Sequence, residues 1–273
     1  MKNVVVIGAG ITGVTSAYAL AKRGYAVTVV DRHRYPAMET SFANGGQLSA
    51  SNAEVWNSWS TVLKGLKWML RRDAPLLMNP SPSCHKYRWL AEFCGNIHRH
   101  RANTIETARL AIAARAHLFE MAEAEGIDFD LERRGILHIY RNRASFDAAS
   151  EGNALLQEGG VFRFPVTPQE MQAIEPTLHG AFYGGFYTPD DATGDIHKFT
   201  CGLAAACERH GVNFRLSTAI DQVRSDGNGV AIDLSPGNGE SDDRATVTAD
   251  AVLVCAGIAS RRFATMLGDR VNI

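Results

Sequence analysis

The glycines near the start of the chain constrain its fold more than any other feature. Residues 4–7 are an unbroken apolar run, the pattern of a buried parallel strand. Gly8, Gly10 and Gly13 follow it in G-x-G-x-x-G spacing. A helix is expected to run from there to about Arg23, stopped by Gly24. Residues 27–30 read as a second strand, which Asp31 closes. Each part has a physical task. Gly8 allows the tight turn, Gly10 lets backbone approach a pyrophosphate, and Gly13 lets helix and strand pack closely. The helix N-terminus offers free N–H groups and partial positive charge to phosphates.

Three glycines alone are weak evidence, because a glycine-rich turn in an ordinary α/β protein has the same spacing. Here the motif sits between a strand and a helix, and an acid ends the second strand about 20 residues on. That context makes Gly8, Gly10, Gly13, Asp31 and the adjacent Arg32 candidates for an ADP-bearing cofactor. Asp31 can accept hydrogen bonds from a ribose and repels a 2′-phosphate. It does not separate NAD from FAD, which share the ADP half.

The 273 residues suffice for one large domain or two ordinary ones, and 45% are apolar, enough for a real core. A net charge of −1 implies no bulk attraction to nucleic acid. No run of about 20 apolar residues suggests a spanning helix. The first strand begins at residue 3, so no signal peptide is expected and the expected compartment is the cytoplasm. The five cysteines (84, 94, 201, 207 and 255) form no C-x-x-C and read as free thiols. Cys94, His98 and His100 lack a fourth ligand and are interleaved with arginines, so no metal is expected.

After Asp31 the chain turns polar, and the loop with Ser41, Asn44, Gly45, Gly46 and Gln47 is expected to cover the cofactor. Residues 56–126 read as helical, broken by Pro75, Pro80 and Pro82. One helix is expected at 85–98, and a long one with Thr104 as N-cap ending at Gly126. Residues 129–140 suggest a strand pair around Gly135, 144–159 a helix, and 166–176 a short helix ended by Pro176. A glycine- and aromatic-rich strand and loop follow. Residues 197–211 form a helix stopped by Gly211, and strands flank a turn at Asn228-Gly229. Residues 251–255 read as a buried strand, followed by a turn and a helix.

With the opening unit and VLVCAGIASRRF in view, the chain resembles flavin-dependent amine oxidoreductases of the D-amino acid oxidase and glycine oxidase superfamily. In that superfamily a late nucleotide-fold strand carries small residues, here Cys255, Ala256 and Gly257. The similarity is closest to the D-amino acid dehydrogenases. ETSFANGGQLS, LKGLKWMLRRDAPL, RRGILHIYR and DDATGDIHKFT carry it across nearly the whole chain. It implies an α/β fold: a Rossmann-like FAD-binding domain (1–60 and 190–273) with a mixed α+β substrate domain (61–189) inserted. It also implies noncovalent FAD, and oxidative deamination of a D-amino acid, with a cyclic one of D-proline or D-hydroxyproline type as the candidate, to a 2-oxo acid and ammonia. Electrons would pass to a respiratory acceptor such as quinone.

Carried over by residue, Gly8, Gly10 and Gly13 would hold the pyrophosphate and Asp31 the ribose. Ser41 with Asn44 to Gln47 would lie along the phosphates and flavin ring. Ile220 would meet the adenine through its backbone, and Gly257 would pack on the ADP half. The resemblance further implies that the final third of such proteins, with its carboxylate-binding arginine, is missing here. The alternatives are an oxygen-using glycine or sarcosine oxidase, and a noncatalytic FAD-binding subunit. His138, His197, Tyr140, Tyr183 and Tyr187 are the polar pocket candidates; ordinary packing is the competing role for each. The stretch from Leu63 to Arg72 has four cations and no acid, which suits peripheral contact with an inner membrane or a plain solvated helix face.

Overall fold

A computed structural model describes the chain apart from residues 1, 70–72, 74–77, 80, 226, 228, 238–243 and 272–273. Arg71, Arg72, Pro75, Pro80 and Asn228, singled out above, lie outside the described residues. The chain opens with β1 (Asn3–Ile7), α1 (Ile11–Lys22) and β2 (Ala26–Val30). Then come β3 (Gln47–Leu48), α2 (Trp59–Trp68), α3 (Cys84–Gly95) and α4 (His100–Glu125). β4 (Ile136–Tyr140), α5 (Arg143–Glu158), β5 (Phe164–Val166), α6 (Pro168–Ile174), β6 (Gly184–Thr188) and β7 (Ala192–Thr193) follow. The last part holds α7 (Ile196–Arg209), β8 (Asn213–Arg215), β9 (Thr218–Ser225), β10 (Val230–Pro236), β11 (Ala245–Ala249), β12 (Ala251–Val254) and α8 (Ser260–Met266).

Two compact units result. The first comprises Met1–Gly46, Phe119–Leu131 and Gly194–Ile273; the second comprises Gln47–Leu118 and Glu132–Thr193. These boundaries differ from the expected 60 and 190. Residues 47 and 48 leave the first unit because β3 pairs with β7, Gln47 opposite Thr193. Residues 119–131 return to it because Phe129 is buried against Phe199, ring centroids 5.4 Å apart. The Phe129 carbonyl also accepts the Asp195 N–H at 2.7 Å.

In the first unit a parallel sheet runs β12-β1-β2-β8. Val5, Val6 and Val29 are fully buried in it, each contributing about 1.5–3 kcal/mol of apolar transfer. α1 and α7 meet through Val14, Ala17, Leu203 and Cys207, all with no exposed surface. Burial pushes the Cys207 thiol up to about 12, so it packs as a small hydrophobe. The antiparallel sheet β11-β10-β9 adds Val223, Ile232 and Leu234 to a core shared with Val5, Ile7, Val30 and Phe263. At the far end Glu125 ties three helices together. It accepts from the Tyr18 hydroxyl at 2.7 Å, His210 Nε2 at 2.8 Å and Arg209 Nη2 at 3.1 Å. Those bonds, His210 first, hold its carboxyl at about 2.

The expected buried strand at 251–255 is corrected. β12 has β1 as its one strand neighbour among the described residues, and its side chains alternate between exposed and half-buried. An edge strand with a single partner keeps one side open to solvent.

The second unit holds the antiparallel sheet β4-β6-β5. Two expectations fail in it. The long helix starts at His100, and Thr104 is fully buried inside it rather than capping it. The Thr104 hydroxyl instead accepts the Val55 N–H at 3.4 Å. Residues 129–140 form one strand, not a pair: β4 finds its partner in β6, and Glu132 makes an isolated bridge with Thr193. Tertiary pairing has overridden the local hairpin signal.

Candidate functional site

The site forms where β1 and β2 end. Gly8 N–H donates to the Val30 carbonyl at 2.9 Å, and Cys255 N–H to the Ile7 carbonyl at 2.8 Å. Gly8 has φ +104°, and a Cβ there would stand 2.5 Å from the Cys255 carbonyl oxygen. A Cβ on Gly13 would stand 1.8 Å from the Gly8 carbonyl oxygen. Gly8 and Gly13 therefore serve packing beneath the site. Gly10 differs. A Cβ there would meet only the Ser41 Oγ, at 3.4 Å, so the protein leaves the space above this backbone open.

That space is a cavity of about 550 Å³, within the size range of small-molecule sites. Of the residues singled out by sequence, Gly10, Asp31, Arg32, Ser41, Asn44, Ile220 and Gly257 line it. Gly8 and Gly13 do not. Gly45 is exposed beyond it. Gly46 packs against Gly194, whose N–H donates to the Gly46 carbonyl at 2.8 Å. Gln47 belongs to the second unit, where its Oε1 accepts Asn52 Nδ2 at 3.0 Å.

Backbone donors fix the Asp31 carboxylate. Oδ2 accepts the Ala9 N–H at 2.7 Å and Oδ1 the His33 N–H at 2.8 Å. Each oxygen keeps a further lone pair for a ligand hydroxyl. Ser41, nearly buried, accepts the Ile11 N–H at 3.0 Å, which leaves its own hydroxyl proton free to donate. Asn44 is spent on the loop itself: Nδ2 donates to the Thr40 and Ser41 carbonyls, and Oδ1 accepts the Gly46 N–H.

Among the lining residues that sequence reasoning missed, three carry ionisable groups: His33, Glu39 and Arg262. Glu39 pairs with Arg32 and, at 2.8 Å, with His33; the His33 and Arg32 bonds hold its carboxyl below the usual carboxylate range. Arg262 Nη2 donates to the Ile220 and Asp221 carbonyls, each at 3.2 Å. Glu39 meets Arg32 and His33 within one loop, whereas Arg262 meets Ile220 and Asp221 only through the fold.

The other candidates lie elsewhere. His197 stands edge-on to Phe42 at 4.9 Å and Tyr35 at 6.4 Å, with Nε2 3.6 Å from Cys201 Sγ. His138, Tyr140, Tyr183 and Tyr187 all sit in the second unit. His138 Nε2 is 3.0 Å from Asn52 Oδ1, and burial, then nearby Arg163, push the imidazole down to about 4. The Tyr187 hydroxyl donates to the Arg134 carbonyl, Tyr140 accepts from Arg163, and Tyr183 packs on Phe146. His98 Nδ1 contacts the Gly95 carbonyl and His100 Nε2 the Val55 carbonyl. Those rings therefore do not converge on Cys94.

The residues present suit an ADP-bearing cofactor. Open room above Gly10, a helix N-terminus, the spare hydroxyl proton of Ser41 and an anchored Asp31 are the donors and acceptors that a pyrophosphate and a ribose need.

Comparison with known proteins identifies the cofactor class. Residues 3–273 match the FAD dependent oxidoreductase family. The chain is 61% identical over 273 residues to D-amino acid dehydrogenase 3 of Mesorhizobium japonicum, and 44% identical over 279 residues to D-amino acid dehydrogenase of Paramagnetospirillum magneticum. It is covered almost entirely, 100% and 99%, yet spans 65% and 64% of those relatives' lengths. Among solved structures, glycine oxidase from Geobacillus kaustophilus matches with a TM-score of 0.66 at 20% identity, covering 98% of this chain and 59% of that one. L-Proline dehydrogenase from P. horikoshii matches at 0.64 and 17% identity, covering 98% and 56%. The fold, the Gly10–Asp31 cavity and these matches agree: the chain belongs to the FAD dependent oxidoreductase family.

Proposed function

We propose that this chain binds FAD in the Gly10–Asp31 cavity and serves the oxidation of D-amino acids to 2-oxo acids and ammonia, with electrons passing to a quinone-type respiratory acceptor. The observation that carries the reading is the cavity beside Gly10 and Asp31 in a chain 61% identical to a protein named D-amino acid dehydrogenase 3. When bound, FAD supplies the two-electron acceptor for a hydride from the substrate Cα. The chain's own residues bind and orient. The N–H groups at the start of α1, with the Ser41 hydroxyl, would hold the pyrophosphate, and Asp31 would take the ribose hydroxyls. Asn44 shapes the loop that borders the cavity. Ile7, Val30 and Ile220 keep water from the cavity floor, which strengthens every polar contact above it.

Adding D-alanine and D-proline anaerobically to the FAD-loaded chain tests this. Bleaching of the flavin band by either, with recovery on a soluble quinone faster than on oxygen, is the expected result. Fast recovery on oxygen would move the reading to an oxidase. Bound FAD that no D-amino acid bleaches would make the chain a noncatalytic binder.

We also propose peripheral membrane contact through α2. Trp59, Leu63 and Leu66 are 63%, 66% and 54% exposed at helical spacing, with Trp56 at 80% just before them. Lys64 and Lys67 accompany them. Such a face suits the interface of an anionic bilayer. No helix among the described residues is long and apolar enough to cross one. Leu63→Glu is expected to weaken co-sedimentation with anionic vesicles about tenfold, the scale of one lost buried leucine. Unchanged sedimentation would return α2 to a plain solvated face.

A further inference from the structure

The far wall of the cavity is sewn to the ribose site. The Asp31 carbonyl accepts the Thr218 N–H at 2.9 Å, so the start of β9 stands one residue's breadth from the ribose-binding acid. Thr218, Ala219 and Ile220 line this wall, and Arg262 and Phe263 of α8 complete it. A nucleoside whose ribose meets Asp31 must set its base here.

Arg262 is an exposed residue whose guanidinium is nevertheless pinned. Both hydrogens of Nη2 are taken by the Ile220 and Asp221 carbonyls at 3.2 Å. The carbon of the guanidinium sits 5.7 Å from the centroid of the nearly buried Phe263 ring. Among the described residues no acidic partner is within ion-pair reach. Immobilising an exposed arginine costs side-chain entropy, and two carbonyl bonds to one nitrogen, with Phe263 beside the group, leave most of its donors uncommitted. A planar, weakly hydrated cation held by one edge is a stacking platform for a flat aromatic ligand.

We propose that Arg262 selects the adenosine half of the cofactor, by presenting its guanidinium plane to the base while its Nη2 holds the β9 wall in place. This rests on the FAD reading above, and it alters the role expected of Ile220. The Ile220 carbonyl is already engaged by Arg262, so Ile220 helps to orient the arginine as well as bordering the base. Glu39 is paired with Arg32 and His33, while Arg262 is the cation of the wall formed with Thr218, Ala219 and Ile220.

The test uses the full chain without cofactor, titrated with FAD, ADP and FMN. Arg262→Lys keeps a cation able to reach the carbonyls but removes the plane; Arg262→Met removes both. For Arg262→Lys, FAD and ADP are each expected to bind about tenfold more weakly, with FMN affinity and thermal unfolding unchanged. Arg262→Met is expected to lose at least as much for FAD and ADP. Wild-type affinity of Arg262→Lys for FAD and ADP would overturn the proposal. So would a loss shared equally by FMN, which would make Arg262 only a strut between α8 and β9. A wild-type chain that binds FAD no tighter than FMN would remove the adenosine subsite itself. Failure to bind any of the three would overturn the cofactor reading and this inference together.

Discussion

Gly13→Ala is expected to lower FAD affinity by at least about 100-fold, roughly 2.7 kcal/mol, and to destabilise the fold as well. The added Cβ would stand 1.8 Å from the Gly8 carbonyl oxygen, a backbone atom. That carbonyl lies in the turn stitched to Val30 and Cys255, so it has nowhere to retreat. α1 must therefore lift off the strand, taking its N-terminal N–H groups away from the phosphates. Gly10→Ala is the informative companion. Its Cβ meets nothing closer than Ser41 Oγ at 3.4 Å, so this variant should melt like the wild type and still bind FAD poorly. Calorimetric titration with FAD, alongside thermal unfolding of the apo chain, separates the two. Normal FAD binding by Gly13→Ala would refute the packing account of the motif.

Asp191→Ala is expected to cost about 3–5 kcal/mol, the scale for stripping one partner from a buried ion pair. That is a large fraction of an ordinary domain's 5–15 kcal/mol or so. The Asp191 side chain has no exposed surface and Arg115 is 14% exposed, with Nη1 2.6 Å from Oδ1. Asp191 also accepts the Ser49 hydroxyl at 2.9 Å, the Ala50 N–H at 3.0 Å and the Ser51 N–H at 3.4 Å. Its loss strands a buried guanidinium and frees the turn after β3, the strand that carries Gln47. Urea unfolding monitored in the second unit, for instance by tryptophan fluorescence, reads the change. Arg115→Met with Asp191→Leu should recover part of the loss, since an apolar pair leaves no unmatched charge. A single variant as stable as the wild type would show that the pair is not paid for by its burial.

Local signals were legible in the sequence where the cause is local. Residues 4–7 read as a buried parallel strand from their apolar run and 27–30 as a second strand, and Gly24 and Gly211 ended helices as expected, each at positive φ. Of the opening motif, Gly10 and Asp31 line the cavity, while most of its remaining wall comes from residues 32–44, 218–220 and 255–263. Ile220 and Gly257 came instead from family resemblance. Where the cause is a distant partner, the reading failed. Thr104 has the chemistry of an N-cap but is buried against Val55, and residues 129–140 alternate like a hairpin while β4 waits for β6, about fifty residues on.

By itself, then, the amino-acid sequence determined that a βαβ unit forms at the start of the chain, where its glycine turn lies and which acid closes its second strand. Steric demands on glycine and the periodicity of apolar residues act within a few residues of one another. Only the tertiary structure decided that Gly8 and Gly13 serve packing while Gly10 faces the cavity, that Gln47 belongs to the second unit, and that Asp191 and Arg262 are tied to residues 41 to 142 positions away. Hydrogen bonds and burial across such separations depend on the assembled sheets and helices, and no short stretch of sequence encodes them.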